Sequence, residues 1–251
     1  MQADWITAFL LTTAAGLSTT IGALIGISVK KPGSQFMGFT LGFSAGVMIL
    51  VSFVELLQAG IESTSFFTAH IAFFAGMILF FAVDFFVPHE YIGQQDHHKK
   101  SSSLMRTGLL VALGIGIHNL PEGMATFVGT LEDMHVGVAI AVAIAIHNIP
   151  EGLAVAAPIY AATGSKRKAF FWSFLSGVSE PVGAGLAALI LLPFLSPQFL
   201  GIVLAGVAGI MVAISIDELV PAAKSYGHEH TPILGFIFGM MIMALSLHIL
   251  Q

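Results

Sequence analysis

His118-Asn119-Leu120-Pro121-Glu122-Gly123 and His147-Asn148-Ile149-Pro150-Glu151-Gly152 are near-identical hexapeptides 29 residues apart, each inside a long apolar run. Residues i and i+4 share one face of a helix, so each copy presents its histidine and glutamate together, with the asparagine one step round. Proline has no N–H, so Pro121 and Pro150 free the carbonyls of Ile117 and Ile146 and are expected to kink both helices at the polar cluster. Nitrogen and oxygen donors on two kinked helices in apolar surroundings predict a divalent metal site. A lone membrane histidine is more often a packing or hydrogen-bonding residue. Two copies of one pattern at matching depth argue against that account.

The runs that carry the motifs are two of many. Hydrophobic residues make up 56% of the 251-residue chain and charged ones 9%, against roughly 25% charged in an average soluble domain. Too few charges remain to cover a soluble surface. Eight runs suffice to cross a hydrocarbon core that needs about 20 helical residues: 4–29, 35–59, 65–87, 104–127, 134–161, 168–194, 197–223 and 231–250. A β-barrel would show short alternating strands instead. The chain therefore reads as an all-α polytopic membrane protein, a single transmembrane domain over 1–251. Asp4 and the lack of a basic residue before the first run argue for a retained helix rather than a cleavable signal peptide. With no cysteine there is neither a disulfide framework nor a thiolate metal site, and the net charge of −5 gives no support for nucleic-acid binding.

The nine basic residues set the orientation. Lys30 and Lys31 follow the first span; Lys99, Lys100 and Arg106 follow the third; Lys166, Arg167 and Lys168 follow the fifth; Lys224 follows the seventh. By the positive-inside rule these connections are cytoplasmic and both termini lie outside. The longest connection, about 88–103, reads as a flexible cytoplasmic loop containing His89, Glu90, Asp96, His97 and His98. Spans 1–3 and 6–8 then run in opposite senses around spans 4 and 5, as in an inverted-repeat transporter. No persuasive residue-level identity between the halves is seen in the sequence.

Counting from span starts puts His118 and His147 near mid-membrane, with Glu180 and Met48 at similar depth. A carboxylate there costs about 2.5–3.5 kcal/mol on insertion scales, so Glu122, Glu151 and Glu180 together call for a cation. Crowded carboxylates also hinder one another's ionisation. One divalent ion offsets most of the charge, and two could use all three carboxylates. Imidazole with carboxylate suits zinc, iron(II), manganese and cobalt, whereas calcium and magnesium prefer oxygen shells. Asp84, Asp217 and Glu218 fall near cytoplasmic span ends and could form an exit vestibule. Glu55 falls near the outer end of the second span.

At these residues the chain resembles the ZIP (Zrt/Irt-like) family of metal transporters, in its bacterial broad-range zinc-uptake branch. The resemblance rests on both hexapeptides, the stretch from His147 through Arg167, Glu180-Pro181, Asp217-Glu218-Leu219-Val220-Pro221 and Pro88-His89-Glu90. It implies eight helices with inverted three-helix repeats, and uptake of divalent metal toward the cytoplasm across a bacterial inner membrane. It further implies a metal site of His118, Glu122, His147, Glu151 and Met48, and a second, bridged site of Asn119, Glu122, Asn148, Glu151 and Glu180. Asp84, His89, Asp217 and Glu218 match the family's inner exit, and the family suggests a homodimer. Zinc, with iron, manganese, cobalt or cadmium as further candidates, is then substrate, and there is no catalytic cofactor.

Two other readings use the same donors. An intramembrane metalloenzyme needs an open coordination position and a general base, as in His-Glu-x-x-His, which is absent. A metal exporter or cation channel needs no residue that an importer lacks, because direction of flux is set by the gradients.

Overall fold

Each apolar run becomes a helix. The computed structural model describes residues 5–29, 33–86, 97–132, 134–191, 196–227 and 229–250, and among the described residues there are eight helical rods and no strand. They are α1 (Trp5–Ser28), α2 (Ser34–Ser63), α3 (Phe66–Phe86), α4 (His97–Glu132), α5 (Met134–Thr163), α6 (166–191), α7 (Pro197–Lys224) and α8 (Thr231–Leu250). Between α5 and α6, Gly164 adopts φ 64°, a left-handed conformation that ends a helix at no Cβ cost, and the Ser165 hydroxyl accepts from Lys168 N–H to begin the next. Proline at the first turn of α7 and the Ser196 hydroxyl do the same for that helix.

One expectation needs correction. The long loop does not run to Ser103, because α4 already begins at His97; no glycine or proline in 97–103 stops the helix from propagating beyond its apolar part. Residues 88–96 of that loop lie outside the described residues. Pro121 and Pro150 sit inside helices that run through them unbroken.

Among the described residues five helices are long and apolar enough to cross a membrane: α1, α2, α5, α7 and α8. α3 is a shorter apolar helix over Phe66–Ala82. α4 and α6 are less apolar: α4 begins with His97-His98-Lys99-Lys100 and α6 with Lys166-Arg167-Lys168, and both also carry residues of the buried polar cluster. The exterior is apolar in turn, with Phe67, Phe81 and Phe85 of α3 and Leu234, Met241 and Leu245 of α8 all exposed. This polar centre inside an apolar coat inverts the soluble pattern, and the protein is an all-α polytopic membrane protein.

The rods pack as two groups. α1 lies on α5, α4 on α6, and α1 on α6; α2 lies on α8, α3 on α7, and α2 on α7. Exchanging 1 with 6, 2 with 7, 3 with 8 and 4 with 5 maps this set onto itself. The relation reaches single residues, which the sequence reading missed. α2 has 18 α-helical residues and then a π-turn at Ser52–Leu56; α7 has 18 and then a π-turn at Ser215–Leu219. Aligned on that turn, Gly46–Leu56 and Gly209–Leu219 share glycine, methionine, serine, glutamate and leucine at equivalent positions. Ser52 and Ser215 each bond the carbonyl of the methionine four residues back.

Small residues let backbones touch where lipid supplies no hydrophobic drive between helices. The glycine closing each hexapeptide is one of these. A methyl on Gly152 would overlap the Thr19 carbonyl of α1, and one on Gly123 would overlap the Glu180 carbonyl of α6. Gly152→Ala should therefore destabilise the fold by about 1–3 kcal/mol through overpacking. Gly185→Ala, whose added carbon meets nothing within 4 Å, should not. Thermal unfolding of the two purified variants in detergent checks the contrast.

Candidate metal centre

α4 and α5 bring the two hexapeptides face to face. His118 Nε2 lies 3.4 Å from Glu122 Oε1 on its own helix and 3.2 Å from Glu151 Oε1 on the other. His147 Nε2 lies 3.2 Å from Glu122 Oε2. The imidazole centroids are 6.1 Å apart, and ligand atoms of His118, His147 and Glu151 all lie within 4.8 Å of one another. None of the four residues is more than 2% exposed.

The asparagines are fixed by the flanking helices. Asn119 Nδ2 donates to Ser176 O of α6 at 3.1 Å, and Asn148 Nδ2 donates to Ala15 O of α1 at 2.9 Å. A backbone carbonyl only accepts, so both amides are oriented, and each leaves Oδ1 as the free acceptor. Asn148 Nδ2 also donates to Glu180 Oε1, which ties α6 to the cluster.

Several buried donor atoms are left without a hydrogen bond. They include Nδ1 of His118 and of His147, Oε2 of Glu151 and of Glu180, and Oδ1 of Asn119 and of Asn148. Orphaned buried polar atoms are costly and rare. Six on one cluster, nearly all able to act as electron-pair donors, suit a cation rather than packing. Met48 is fully buried. It lies one turn beyond Ser44, whose hydroxyl bonds the Pro150 carbonyl at 2.9 Å, so it occupies the α2 face that meets the second hexapeptide.

A second cluster joins α3, α4 and α7. Carboxylate oxygens of Asp84, Asp217 and Glu218 lie within 4.8 Å of one another, with Asp84 and Glu218 buried and Asp217 exposed. His89 lies outside the described residues. Arg106 of α4 forks across this cluster, bonding Asp84 through Nη2 and Glu218 through Nη1 at 2.9 Å. The sequence reading used Arg106 only as an orientation charge. Its signal was position: it falls inside the span expected at 104–127, not in the loop with Lys99 and Lys100.

Removing one partner of a buried ion pair strands the other. Arg106→Gln should lower unfolding stability by on the order of 3 kcal/mol, and adding Glu218→Gln should recover part of the loss. A double-mutant cycle by thermal unfolding in detergent measures the coupling.

The ZIP Zinc transporter family model matches residues 87–247. Over 263 residues the chain is 52% identical to the protein named zinc transporter ZupT of Chlorobium phaeovibrioides, covering 98% of this chain and 99% of that one. Identity to proteins of the same name is 47% over 260 residues in Streptococcus mutans, with 98% of each chain covered, and 48% over 268 residues in Lysinibacillus sphaericus, with 100% of each covered. The match takes in both hexapeptides, Glu180-Pro181 and the 217–221 stretch, and the chain belongs to the ZIP zinc transporter family.

Proposed function

We propose that this protein imports zinc and chemically similar divalent ions into the cytoplasm across a bacterial inner membrane. The observation that carries the reading is the set of orphaned donor atoms where α4 and α5 meet. Relatives of nearly equal length named as zinc transporters support zinc as the cargo. His118, Glu122, His147 and Glu151, with Met48, hold the ion at one site. Asn119, Asn148 and Glu180 share Glu122 and Glu151 with a second ion beside it. Asp84, Asp217 and Glu218 receive the ion on its way out, and His89 completes that exit. The working unit is a homodimer.

The ligands explain how an ion could be held and still leave. Imidazole and carboxylate bind zinc without the tight hold of thiolates. Glu122 lies between both histidines, so a carboxylate can pass from one ion to another without losing its partners.

Zinc uptake into proteoliposomes is the direct measurement. His118→Ala, Glu122→Ala, His147→Ala or Glu151→Ala should each remove most uptake while the protein still inserts; near-normal transport by a well-expressed Glu122→Ala variant would sink the site. Glu180→Gln keeps the shape and removes a charge, so bound metal by elemental analysis should fall from two toward one per chain.

Orientation has its own check. Tags at both termini should be reachable from outside, and a tag near Asp96 only from inside. A cytoplasmic N-terminus would reverse entrance and exit.

A further inference from the structure

The two π-turns carry equivalent glutamates, Glu55 in α2 and Glu218 in α7, and their surroundings differ in one respect. Glu218 is answered by Arg106 at 2.9 Å. Glu55 is half-buried, yet its Oε2 is sealed from solvent with no hydrogen-bond partner among the described residues. In the sequence all nine arginines and lysines fall in or beside the connections after the first, third, fifth and seventh spans, none in the connection that follows Glu55. π-turns are rare, commonly mark functional sites, and re-aim the side chains that they carry.

The position of Glu55 says what the missing counter-charge is. Its carboxyl lies within Coulombic reach of His147, Glu122 and His118, so it stands beside the cluster. It also follows Met48 by seven residues on α2, about 10 Å further along the axis. One ion cannot touch both side chains, but it can visit them in turn. With α2 running outward as proposed above, Glu55 is met first.

We propose that Glu55 is a metal-binding residue on the outer side of the site, taking up the arriving divalent ion before Met48 and the hexapeptide histidines do. The substrate supplies at Glu55 the positive charge that Arg106 supplies at Glu218. The two halves thus share one device, a carboxylate on a π-turn, with a mobile cation in one and a tethered cation in the other. The inference rests on the transport reading and orientation given above.

The test compares wild type, Glu55→Gln and Glu55→Asp in zinc uptake by intact cells. Glu55→Gln should raise the half-saturating zinc concentration about tenfold, the loss of one charge-assisted contact, with little change in maximal rate; Glu55→Asp should restore most of the affinity. Unchanged half-saturation in Glu55→Gln, or a fall in maximal rate alone, overturns the assignment. A wild type that takes up no zinc overturns the transport reading instead. The lack of cysteine gives a second measurement, because Glu55→Cys carries a unique thiol. A membrane-impermeant thiol reagent added outside should label it, and zinc should slow the labelling. No labelling, or labelling that zinc does not slow, counts against Glu55 as firmly as the kinetics would.

Discussion

A carboxylate in the middle of a bilayer has no water to answer it, and the rest of this molecule is arranged around that constraint. Glu122, Glu151 and Glu180 are at most 2% exposed, so every interaction they have must come from the protein around them or from the ion. The imidazoles supply part of it. Asn148 supplies another part by donating to Glu180, and backbone carbonyls of α1 and α6 hold both asparagine amides in register. That approach depends on glycine: Gly152 admits Thr19 O, and Gly123 admits Glu180 O. The final residue of each hexapeptide is thus tied to the second. A side chain there would push away the helix that orients the asparagine.

The same constraint explains the symmetry. A helix presenting a histidine, an asparagine and a glutamate needs one neighbour to orient the amide and another to face the ligands. α4 finds these in α6 and α5; α5 finds them in α1 and α4. An inverted repeat provides both sets at once, because one sequence solution serves in two orientations. Where the halves diverge, function is the natural place to look. Glu55 and Glu218 are such a pair, and Asp217 standing opposite Val54 is another.

Much of this was legible in the chain. Composition gave the class, and the two hexapeptides gave the buried ligands, since four-residue spacing on a helix leaves little freedom. Asp84 and Asp217-Glu218 were legible as an acidic group, although their meeting joins residues more than 130 positions apart. Arg106 was harder, because a charge count treats every basic residue alike and cannot say that this one folds back among carboxylates. The 46–56 and 209–219 repeat was hidden for another reason. Between its matching residues, Val54 opposite Asp217 excepted, apolar side chains replace one another freely, as any residue of similar bulk can face lipid or core. Only the shared π-turn fixed the alignment.

The modest apolarity of α4 and α6 bears on how the protein reaches its membrane. A helix that carries its own polar cluster, and in α6 begins with Lys166-Arg167-Lys168, partitions into lipid weakly by itself. α5, by contrast, is apolar enough over Ile140–Thr163 to enter unaided. Insertion in strict chain order would strand α4 until α5 follows, and α6 until α1 and α4 are there to receive it. α4 and α6 thus enter the bilayer as cargo of their neighbours, and biogenesis is cooperative over much of the chain. A chain stopped after α4 would end with its only completed hexapeptide poorly held in the membrane.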